Sequence, residues 1–276
     1  EENCFRCVIK PGANVGDPAT VTWTPNTEYI NVIIDTQTVA AGERSTADSF
    51  NFQTEGNTIY FGGQIPIDRE QVNERAAVWD GARYAAFLFE EELDRQGISV
   101  SRGSHNIRDL DESQIDAEPK QTIITHQSVP LSELCNIVNK VSHNFFADQI
   151  VRTLGYKFGN EGSFDEGTSV RNWLEEIGLP EAETFHIVDG SGLSTCNRFQ
   201  PQQATYLFRY MHDRGEVGDA FFTSLPHKEL TTEDETTVVG QRHAKSGYIG
   251  GVRTLGGYIE TAGGETLVFS SMCNLY

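Results

Sequence analysis

The sequence is poor in positive charge. Its 276 residues include 21 lysines and arginines against 40 aspartates and glutamates, a formal net charge of −19 at pH 7. Nucleic acids and anionic membrane surfaces are bound through a basic footprint, so this balance argues against both as partners. The acidity is compatible with a saline habitat or with a need for solubility, and these two explanations stay open.

Long apolar runs and metal motifs are also missing. No stretch of about 18 apolar residues occurs, so no membrane-spanning helix is predicted. The seven histidines show neither an H-E-x-x-H motif nor an H-x₃-H spacing. Because no cofactor motif occurs either, we expect neither a metal nor a cofactor.

Cysteines are few and scattered. Cys4 and Cys7 form a C-x-x-C pair, but no second pair follows to complete a zinc site. In a strand these two side chains would also point to opposite faces. We therefore interpret all five cysteines as buried small hydrophobic residues, in preference to a redox or metal role: Cys4, Cys7, Cys135, Cys196 and Cys273.

The first part of the chain has the pattern of a β-rich region. Short runs of β-branched and aromatic residues, separated by Gly, Pro, Asn and Asp, predict strands. From Ala76 to Gln96 the apolar spacing predicts a helix, with Gly97 just past its end. A polar, acidic stretch without periodicity follows, so we place a domain boundary near Glu118. This gives a β-rich region, 1–118, and a second region, 119–276.

The second region combines helices with a C-terminal sheet. Residues 131–155 predict one or two helices closed by Gly155, and residues 168–180 predict another. A further helix is predicted from Pro201, a first-turn position, with Gly215 as its cap. Residues 247–274 predict two strands, a Gly-rich turn and a third strand. Helices followed by an antiparallel sheet indicate an α+β or layered α/β/α domain.

Three short motifs in this region carry chemically useful side chains. Ser142-His143-Asn144 falls inside a helical run, where Ser and Asn suit a kink or an inter-helix turn. Residues 189–194, D-G-S-G-L-S, form a Gly-rich turn, and Lys245-Ser246-Gly247 stands at the predicted start of a strand. Taken singly, each has a plain structural explanation: a helix cap, a tight turn and an edge-strand lysine. Lys245 is also what an anion-binding strand would carry, since burying an unpaired ammonium is costly.

Together, and in this order, the motifs resemble a known family. Residues 140–155, 188–198 and 243–270 are similar to consecutive landmarks of the DacB-type penicillin-binding proteins, and residues 8–21 and 57–66 resemble their β-rich insert. These proteins are D-alanyl-D-alanine carboxypeptidases/endopeptidases that trim and open peptidoglycan. The resemblance implies an α/β fold: a penicillin-recognising, β-lactamase-like α/β/α domain with a five-stranded antiparallel sheet. It also implies a β-rich domain inserted into this domain. A β-lactamase would share the fold and Lys-Ser-Gly but not the insert.

The family acts through a serine nucleophile in a Ser-x-x-Lys motif, and no serine in this sequence has a lysine three residues later. The nearest approach, S-L-P-H-K at 224–228, is one residue too long. We therefore expect the chain to be an internal fragment that begins inside the insert. The alternative is a catalytically inactive homologue that binds peptidoglycan or a protein partner.

The resemblance assigns catalytic roles to three residues. Ser142 would relay a proton to the leaving D-alanine, as a positioned hydroxyl can. Asn144 would hold the peptide carbonyl of the substrate through its amide. Lys245 would supply positive potential for the terminal carboxylate of the substrate, and Lys245 and Ser246 are expected to lie within reach of Ser142 and Asn144 in the folded structure. His143, between the first two, is expected to face away from substrate.

Substrate binding is assigned to the rest of the strand. Ser246 would donate its hydroxyl to the same carboxylate, Gly247 would let substrate lie close to the strand, and the backbone N–H of Tyr248 would form half of an oxyanion hole. The implied partners are a peptidoglycan stem peptide ending in D-Ala-D-Ala and, as inhibitors, β-lactam antibiotics. The implied location is extracytoplasmic, in the periplasm, although the printed sequence shows no signal peptide.

The Gly-rich turn is interpreted mainly as structural. Ser191 lacks the G-x-S-x-G elbow of a hydrolase nucleophile, and glycines allow a tight turn beside the cleft. A supporting role in the site is assigned to Asp189, Gly190, Ser191 and Gly192. The acidic residues 229–235 are interpreted as a solvated loop.

Overall fold

The computed structural model describes residues 3–52, 57–111, 115, 121–122, 124–159 and 166–275. The chain divides into two compact units, Glu1–Ile123 and Ile124–Tyr276. The boundary predicted near Glu118 falls on a residue outside the described ranges. None of the described helices combines the length and the apolar composition that a membrane crossing requires.

The first unit consists of short strands and one longer helix. The strands form an antiparallel sheet in the order β2-β1-β8, a mixed sheet β3-β6-β5 and a parallel pair β4-β7. Its described elements are β1 (Cys4–Lys10), β2 (Thr20–Thr24), β3 (Asn31–Ile34), β4 (Gln37–Val39), β5 (Asp48–Phe52), β6 (Thr58–Gly62), β7 (Gln64–Pro66), β8 (Val72–Ala77), α1 (Gly81–Arg95) and a short 3₁₀ turn, Ile107–Asp109.

The core of this unit forms where β1 meets α1. Phe5, Cys7 and Ile9 alternate along β1 and are all buried, as expected of a strand with one face turned to the core. Tyr84 of α1 packs against Phe5 with the ring centroids 5.2 Å apart. Cys4 lies on the other face of β1 and is only half-buried. The predicted opposition of Cys4 and Cys7 is therefore confirmed.

One expectation about this half of the chain needs correction. The helix predicted from Ala76 begins only at Gly81, because the preceding residues pair with β1 as strand β8. Its start is fixed by Asp80, whose carboxylate accepts a hydrogen bond from the Arg83 N–H at 3.0 Å, a typical N-cap contact. The apolar residues of strand β8 are followed directly by those of α1, so the sequence shows one apparent helical period across both elements.

The interpretation of all five cysteines as buried is confirmed only for Cys7, because Cys4 is half-buried and the other three are not buried either. Cys196 and Cys273, both in the second unit, are exposed, and Cys135 is half-buried. Cys196 lies in an irregular loop, and Cys273 lies on an edge strand of the sheet. The exposure of these two cysteines follows from their places in the fold, which residue type alone does not predict.

The second unit packs helices against an antiparallel sheet in the strand order β12-β11-β10-β9. The resemblance implies five strands, and the described residues of this unit supply four. The elements are α2 (Leu131–Val141), α3 (Asn144–Phe158), α4 (Glu166–Glu176), a 3₁₀ turn (Ala182–Thr184), α5 (Pro201–His212), α6 (Glu216–Ser224), β9 (His227–Thr231), β10 (Val238–Ile249), β11 (Val252–Thr261) and β12 (Thr266–Asn274).

One face of the sheet is covered by α5 and α6. Tyr258 of β11 is buried there, with its ring 5.5 Å from that of Phe208 and its hydroxyl donating to the Phe208 carbonyl at 2.6 Å. Tyr258 pairs with His243 on β10, and Gly256 pairs with Lys245. Because side chains alternate along a strand, Lys245 lies on the same face as His243 and Tyr258. The Lys245 side chain therefore starts on the helix-covered face of the sheet.

Several predicted boundaries in this unit shift. The helical run at 131–155 is two helices, of which the second continues to Phe158 rather than ending at Gly155. Gly215 does not cap the helix from Pro201, which ends at His212. Gly215 instead precedes α6, a helix that the sequence pattern did not predict.

The start of the sheet also lies earlier than predicted. Lys245 is in the second half of β10, which begins at Val238, because β9 pairs with the polar first half of β10 as far as His243. Glu229 belongs to β9, so only the later part of the acidic stretch is a loop. Because Gln241 and Arg242 are polar, the pattern of apolar residues does not predict a strand here.

Candidate active site

Ser142 stands at a break between two helices. It follows the last residue of α2 in the left-handed conformation, with φ 56° and ψ 53°. A non-glycine residue held there costs about 1–2 kcal/mol, and such residues concentrate at functional sites. Asn144 begins α3 two residues later, and both side chains are exposed. The break therefore presents a hydroxyl and an amide to solvent on one short segment.

His143 has a structural place in this segment. Its Nδ1 accepts a hydrogen bond from the Phe146 N–H at 3.2 Å, which caps the first turn of α3. Its ring lies 4.0 Å from the Phe146 ring, centroid to centroid. The cap holds the turn that carries Ser142 and Asn144.

Lys245 reaches Ser142 from the sheet. Its Nζ donates to the Ser142 Oγ at 3.0 Å and to the Ser246 carbonyl oxygen at 2.7 Å. The two motifs are 103 positions apart in the sequence and meet at these atoms. Burial lowers the pKa of Lys245 from its ordinary range, because it disfavours the charged form. The ammonium is thus a proton donor in direct contact with a hydroxyl.

Beyond Ala244, none of the strands that the structure describes pairs with the β9-facing edge of β10. β9 pairs with β10 only as far as His243, so the following residues have their β9-facing edge unpaired by that strand. Ser246, Gly247 and Tyr248 are all exposed along this segment. Lys245 is therefore not a lysine that blunts the edge of a whole sheet. It lies where one inner strand becomes accessible from the side.

Gly247 and Tyr248 also have local packing reasons for their places. A Cβ on Gly247 would stand 2.5 Å from the Thr254 Oγ1 on the neighbouring strand, so packing as well as access favours glycine there. The guanidinium of Arg253 lies 4.8 Å from the Tyr248 ring centroid. Both residues face their partners on β11, since Gly247 pairs with Thr254 and Tyr248 pairs with Arg253.

The Gly-rich turn is closed by its own hydrogen bonds. His186 and Arg198 exchange two backbone hydrogen bonds of 2.8 Å at its base. Within it, the Asp189 carboxylate accepts from the Gly192 N–H at 2.7 Å, the Ser194 N–H at 2.6 Å and the Asn197 Nδ2 at 2.8 Å. Asp189 thus acts as the internal anchor of the turn.

Asp148 ties this turn to the helix that carries Asn144. Its Oδ1 accepts from the backbone N–H groups of Gly190 and Ser191, both at 2.9 Å. Sequence reasoning missed Asp148, although its position one helical turn after Asn144 was a usable signal. The contact brings the turn beside the Ser142–Asn144 segment, and it engages Ser191 through its main chain.

Gly190 offers a test of this close approach. A Cβ there would lie 2.3 Å from the carbonyl oxygen of Ala147, and the backbone of α3 cannot yield easily. We expect Gly190→Ala to lower the free energy of unfolding by about 1–3 kcal/mol in urea denaturation, as overpacking does. The control is Gly263→Ala, whose Cβ would meet only the Thr261 Oγ1 at 3.7 Å. Equal stability of the two variants would contradict the packing described.

Across the described ranges, no group of three or more His, Cys, Asp or Glu side chains could hold a metal ion. What the arrangement offers is a lysine ammonium, two serine hydroxyls, an amide and an open strand edge. Such a set can bind an anion and move a proton.

Comparison with known proteins identifies relatives across the whole chain. A family model described as the D-Ala-D-Ala carboxypeptidase 3 (S13) family matches residues 1–275. A D-alanyl-D-alanine carboxypeptidase of Actinomadura sp. (strain R39) is 28% identical over 282 residues, which cover 96% of this chain and 50% of that protein. The D-alanyl-D-alanine carboxypeptidase DacB of Haemophilus influenzae is 26% identical over 210 residues, 72% of this chain and 42% of that protein.

Solved structures agree on the fold. Penicillin binding protein 4 (dacB) from Haemophilus influenzae matches with a TM-score of 0.74 at 21% identity, over 99% of this chain and 60% of that one. The same protein complexed with a β-lactam matches with a TM-score of 0.72, over 99% of this chain and 63% of that one. The chain therefore spans about half the length of the curated relatives it matches and somewhat more of the solved ones.

These findings confirm the predicted resemblance to DacB-type penicillin-binding proteins and the predicted penicillin-recognising fold. The order of the three motifs, read from the sequence alone, pointed to the same relatives. The chain belongs to the D-Ala-D-Ala carboxypeptidase 3 (S13) family of serine peptidases.

Proposed function

We propose that the complete protein is a serine-type D-Ala-D-Ala carboxypeptidase/endopeptidase that acts on peptidoglycan stem peptides through an acyl-enzyme. The observation that carries this proposal is the contact of the Lys245 Nζ with the Ser142 Oγ at 3.0 Å. Family membership and the names of the relatives support the same reaction.

Anion recognition is the role of the Lys245–Ser246 segment. A stem peptide ending in D-Ala-D-Ala presents a free carboxylate, and the ammonium of Lys245 and the hydroxyl of Ser246 are the donors to meet it. Charge-assisted hydrogen bonds of this kind are about twice as strong as neutral ones. A β-lactam carries a carboxylate in the corresponding place, so we expect the same contacts with the inhibitor.

Proton transfer is the role of Ser142. Its hydroxyl contacts Lys245, so it can pass a proton to the departing amine of D-alanine and be replenished from the ammonium. The lowered pKa of Lys245 makes this ammonium a stronger acid than an exposed lysine. Asn144, on the same segment, can donate its amide to the peptide carbonyl of the substrate.

The open edge of β10 orients the substrate. A peptide laid along residues 246–248 would occupy the position beside β10 that β9 leaves after His243, a mode in which main-chain hydrogen bonds provide affinity. Gly247 keeps this edge free of a side chain. The N–H of Tyr248 would then point towards the carbonyl oxygen that becomes an oxyanion, where one preorganised donor contributes about 10²–10³ in rate.

The nucleophile belongs to the same proposal. Because the printed residues contain no Ser-x-x-Lys, we place the nucleophilic serine and its lysine outside them. The location of the protein is proposed to be periplasmic, where its substrate lies. The competing proposal, a homologue that binds peptidoglycan without cleaving it, is favoured only by that missing motif.

D-Alanine release separates the two proposals. We expect the complete gene product to release D-alanine from a stem pentapeptide ending in D-Ala-D-Ala, and prior incubation with penicillin to abolish the release. Binding of the pentapeptide without any release of D-alanine would favour the non-catalytic homologue. Absence of both binding and release would contradict both proposals.

A further inference from the structure

We propose that Asn139 and Lys140 are positioning residues that set the distance between Ser142 and Lys245, acting through residues 224–226, which we call the connector. This inference rests on the proposed function, because it gives these residues a part in the same reaction. Neither residue belongs to the three motifs, and neither needs to touch substrate in this role.

The first contact joins α2 to the connector. Asn139, three residues before Ser142, donates its Nδ2 to the Ser224 Oγ at 2.7 Å. Ser224 is the last residue of α6 and is almost completely buried, with 1% of its surface exposed. Its hydroxyl donates in turn to the Phe221 carbonyl at 2.6 Å. The Ser224 hydroxyl is therefore used as both acceptor and donor.

The second contact comes from the next residue of the helix. The ammonium of Lys140 donates to the carbonyl oxygen of Leu225, which is also 1% exposed. The last turn of α2 thus holds two successive residues of the connector, by one side-chain amide and one charge. A lysine bond to a buried carbonyl is charge-assisted and therefore among the stronger hydrogen bonds.

The third contact joins the connector to the sheet. The carbonyl oxygen of Pro226 accepts a hydrogen bond from the Ala244 N–H at 2.9 Å. Ala244 is buried and directly precedes Lys245 on β10. These contacts end on three successive residues of the connector. Together with its backbone, they link the last turn of α2, just before Ser142, to Ala244, just before Lys245.

This series of contacts explains how the exposed Ser142 and the half-buried Lys245 can keep a defined distance. A single hydrogen bond between Ser142 and Lys245 contributes only about 0.5–1.5 kcal/mol, too little to fix two mobile side chains by itself. Holding their backbones through the connector makes the contact preorganised. A misplacement of about 1 Å at a reacting group can cost about 10²-fold in rate.

The connector also accounts for the S-L-P-H-K segment at 224–228. Its serine resembles a nucleophile in sequence, but the hydroxyl is buried and engaged with Asn139 and Phe221. Lys228 is exposed on β9 rather than placed beside that hydroxyl by a helical turn. We infer that this serine positions the site and does not attack the substrate.

The test compares asparagine variants in the complete protein. Asn139→Ala removes the amide donor to Ser224, and Asn136→Ala, at an exposed position of the same helix, is the matched control. We expect Asn139→Ala to slow acylation by penicillin about 10- to 100-fold and Asn136→Ala to leave it unchanged. Lys140→Met should also slow acylation, whereas Lys140→Arg, which keeps a charged donor, should restore most of the rate.

A second measurement distinguishes positioning from general stability. The 13Cε signal of Lys245 in [ε-13C]lysine-labelled protein, assigned through Lys245→Arg, reports the titration of its ammonium. Loosening the connector should admit water to Lys245 and raise its pKa towards the ordinary value, because burial is what lowers it. We expect this rise in Asn139→Ala and in Lys140→Met, but not in Asn136→Ala.

The outcomes separate this inference from the proposed function. If the unsubstituted complete protein is not acylated, the proposed function fails, and the Lys245 titration still tests the geometry. If it is acylated, and both variants retain its rate and its Lys245 titration, the inference is overturned. A lower melting temperature with an unchanged Lys245 titration would mean a structural role only and would also overturn it. If Asn139→Ala does not fold, the comparison of Lys140→Met with Lys140→Arg tests the inference.

Discussion

Replacing Lys245 with alanine in the complete protein is expected to slow acylation by penicillin about 10²–10³-fold, the usual cost of losing one preorganised electrostatic contact. The ammonium meets Ser142 at 3.0 Å, so the variant loses the donor to the Ser142 hydroxyl and, under the proposed mechanism, the anchor for the substrate carboxylate. The nucleophile remains, and the reaction should therefore be slowed rather than abolished. Stopped-flow acylation with a fluorescent penicillin measures the rate directly.

Lys228→Ala is the matched control for this experiment. Lys228 is exposed on β9 of the same sheet and pairs with Arg242, so its removal changes the net charge equally but leaves the Ser142 contact intact. We expect this variant to react at the unsubstituted rate. If Lys245→Ala also reacted at that rate, Lys245 would be a structural lysine.

The 276-residue chain by itself is expected to form no covalent adduct with a fluorescent penicillin on a denaturing gel. Covalent catalysis needs a nucleophile activated by a neighbouring base, and no printed serine has the Ser-x-x-Lys arrangement. In the proposed mechanism Ser142 relays a proton, and its hydroxyl contacts the Lys245 ammonium rather than a base. Ser191 lies in a turn held by Asp148 and Asp189, and Ser224 is buried.

The complete gene product, run in the next lane, is the positive control and should be labelled. Labelling of the 276-residue chain would require a new nucleophile. Mass spectrometry of the adduct would then identify it as Ser142, Ser191 or another printed residue, and the proton-relay role of Ser142 would have to be withdrawn in the first case.

The meeting of Lys245 and Ser142 was accessible from the sequence through the resemblance that the three ordered motifs carry. The resemblance implied that Lys245 lies within reach of Ser142, and the two side chains are in contact across 103 positions. The break between α2 and α3 was also indicated, since Ser142 and Asn144 are poor helix formers. These signals are local or chemical and do not depend on packing.

Features that depend on packing were predicted less well. The apolar period at Ala76 continued from strand β8 into α1 and concealed the start of the helix at Asp80. The exposure of Cys196 and Cys273 is set by a loop and an edge strand, not by residue type. The connector has no recognisable pattern in the sequence, because Lys140 and Ala244 donate hydrogen bonds to main-chain carbonyls that any residue could supply.

Mapping the penicillin adduct on the complete gene product tests the central claim most directly. After digestion, mass spectrometry should place the acyl group on a serine of a Ser-x-x-Lys motif that lies outside the printed residues. The same digestion of Lys245→Ala, sampled at an early time, should give about 10²–10³-fold less of the same acylated peptide. An adduct on a serine within residues 1–276, or none on a protein that releases D-alanine, would contradict the acyl-enzyme mechanism proposed around Ser142 and Lys245.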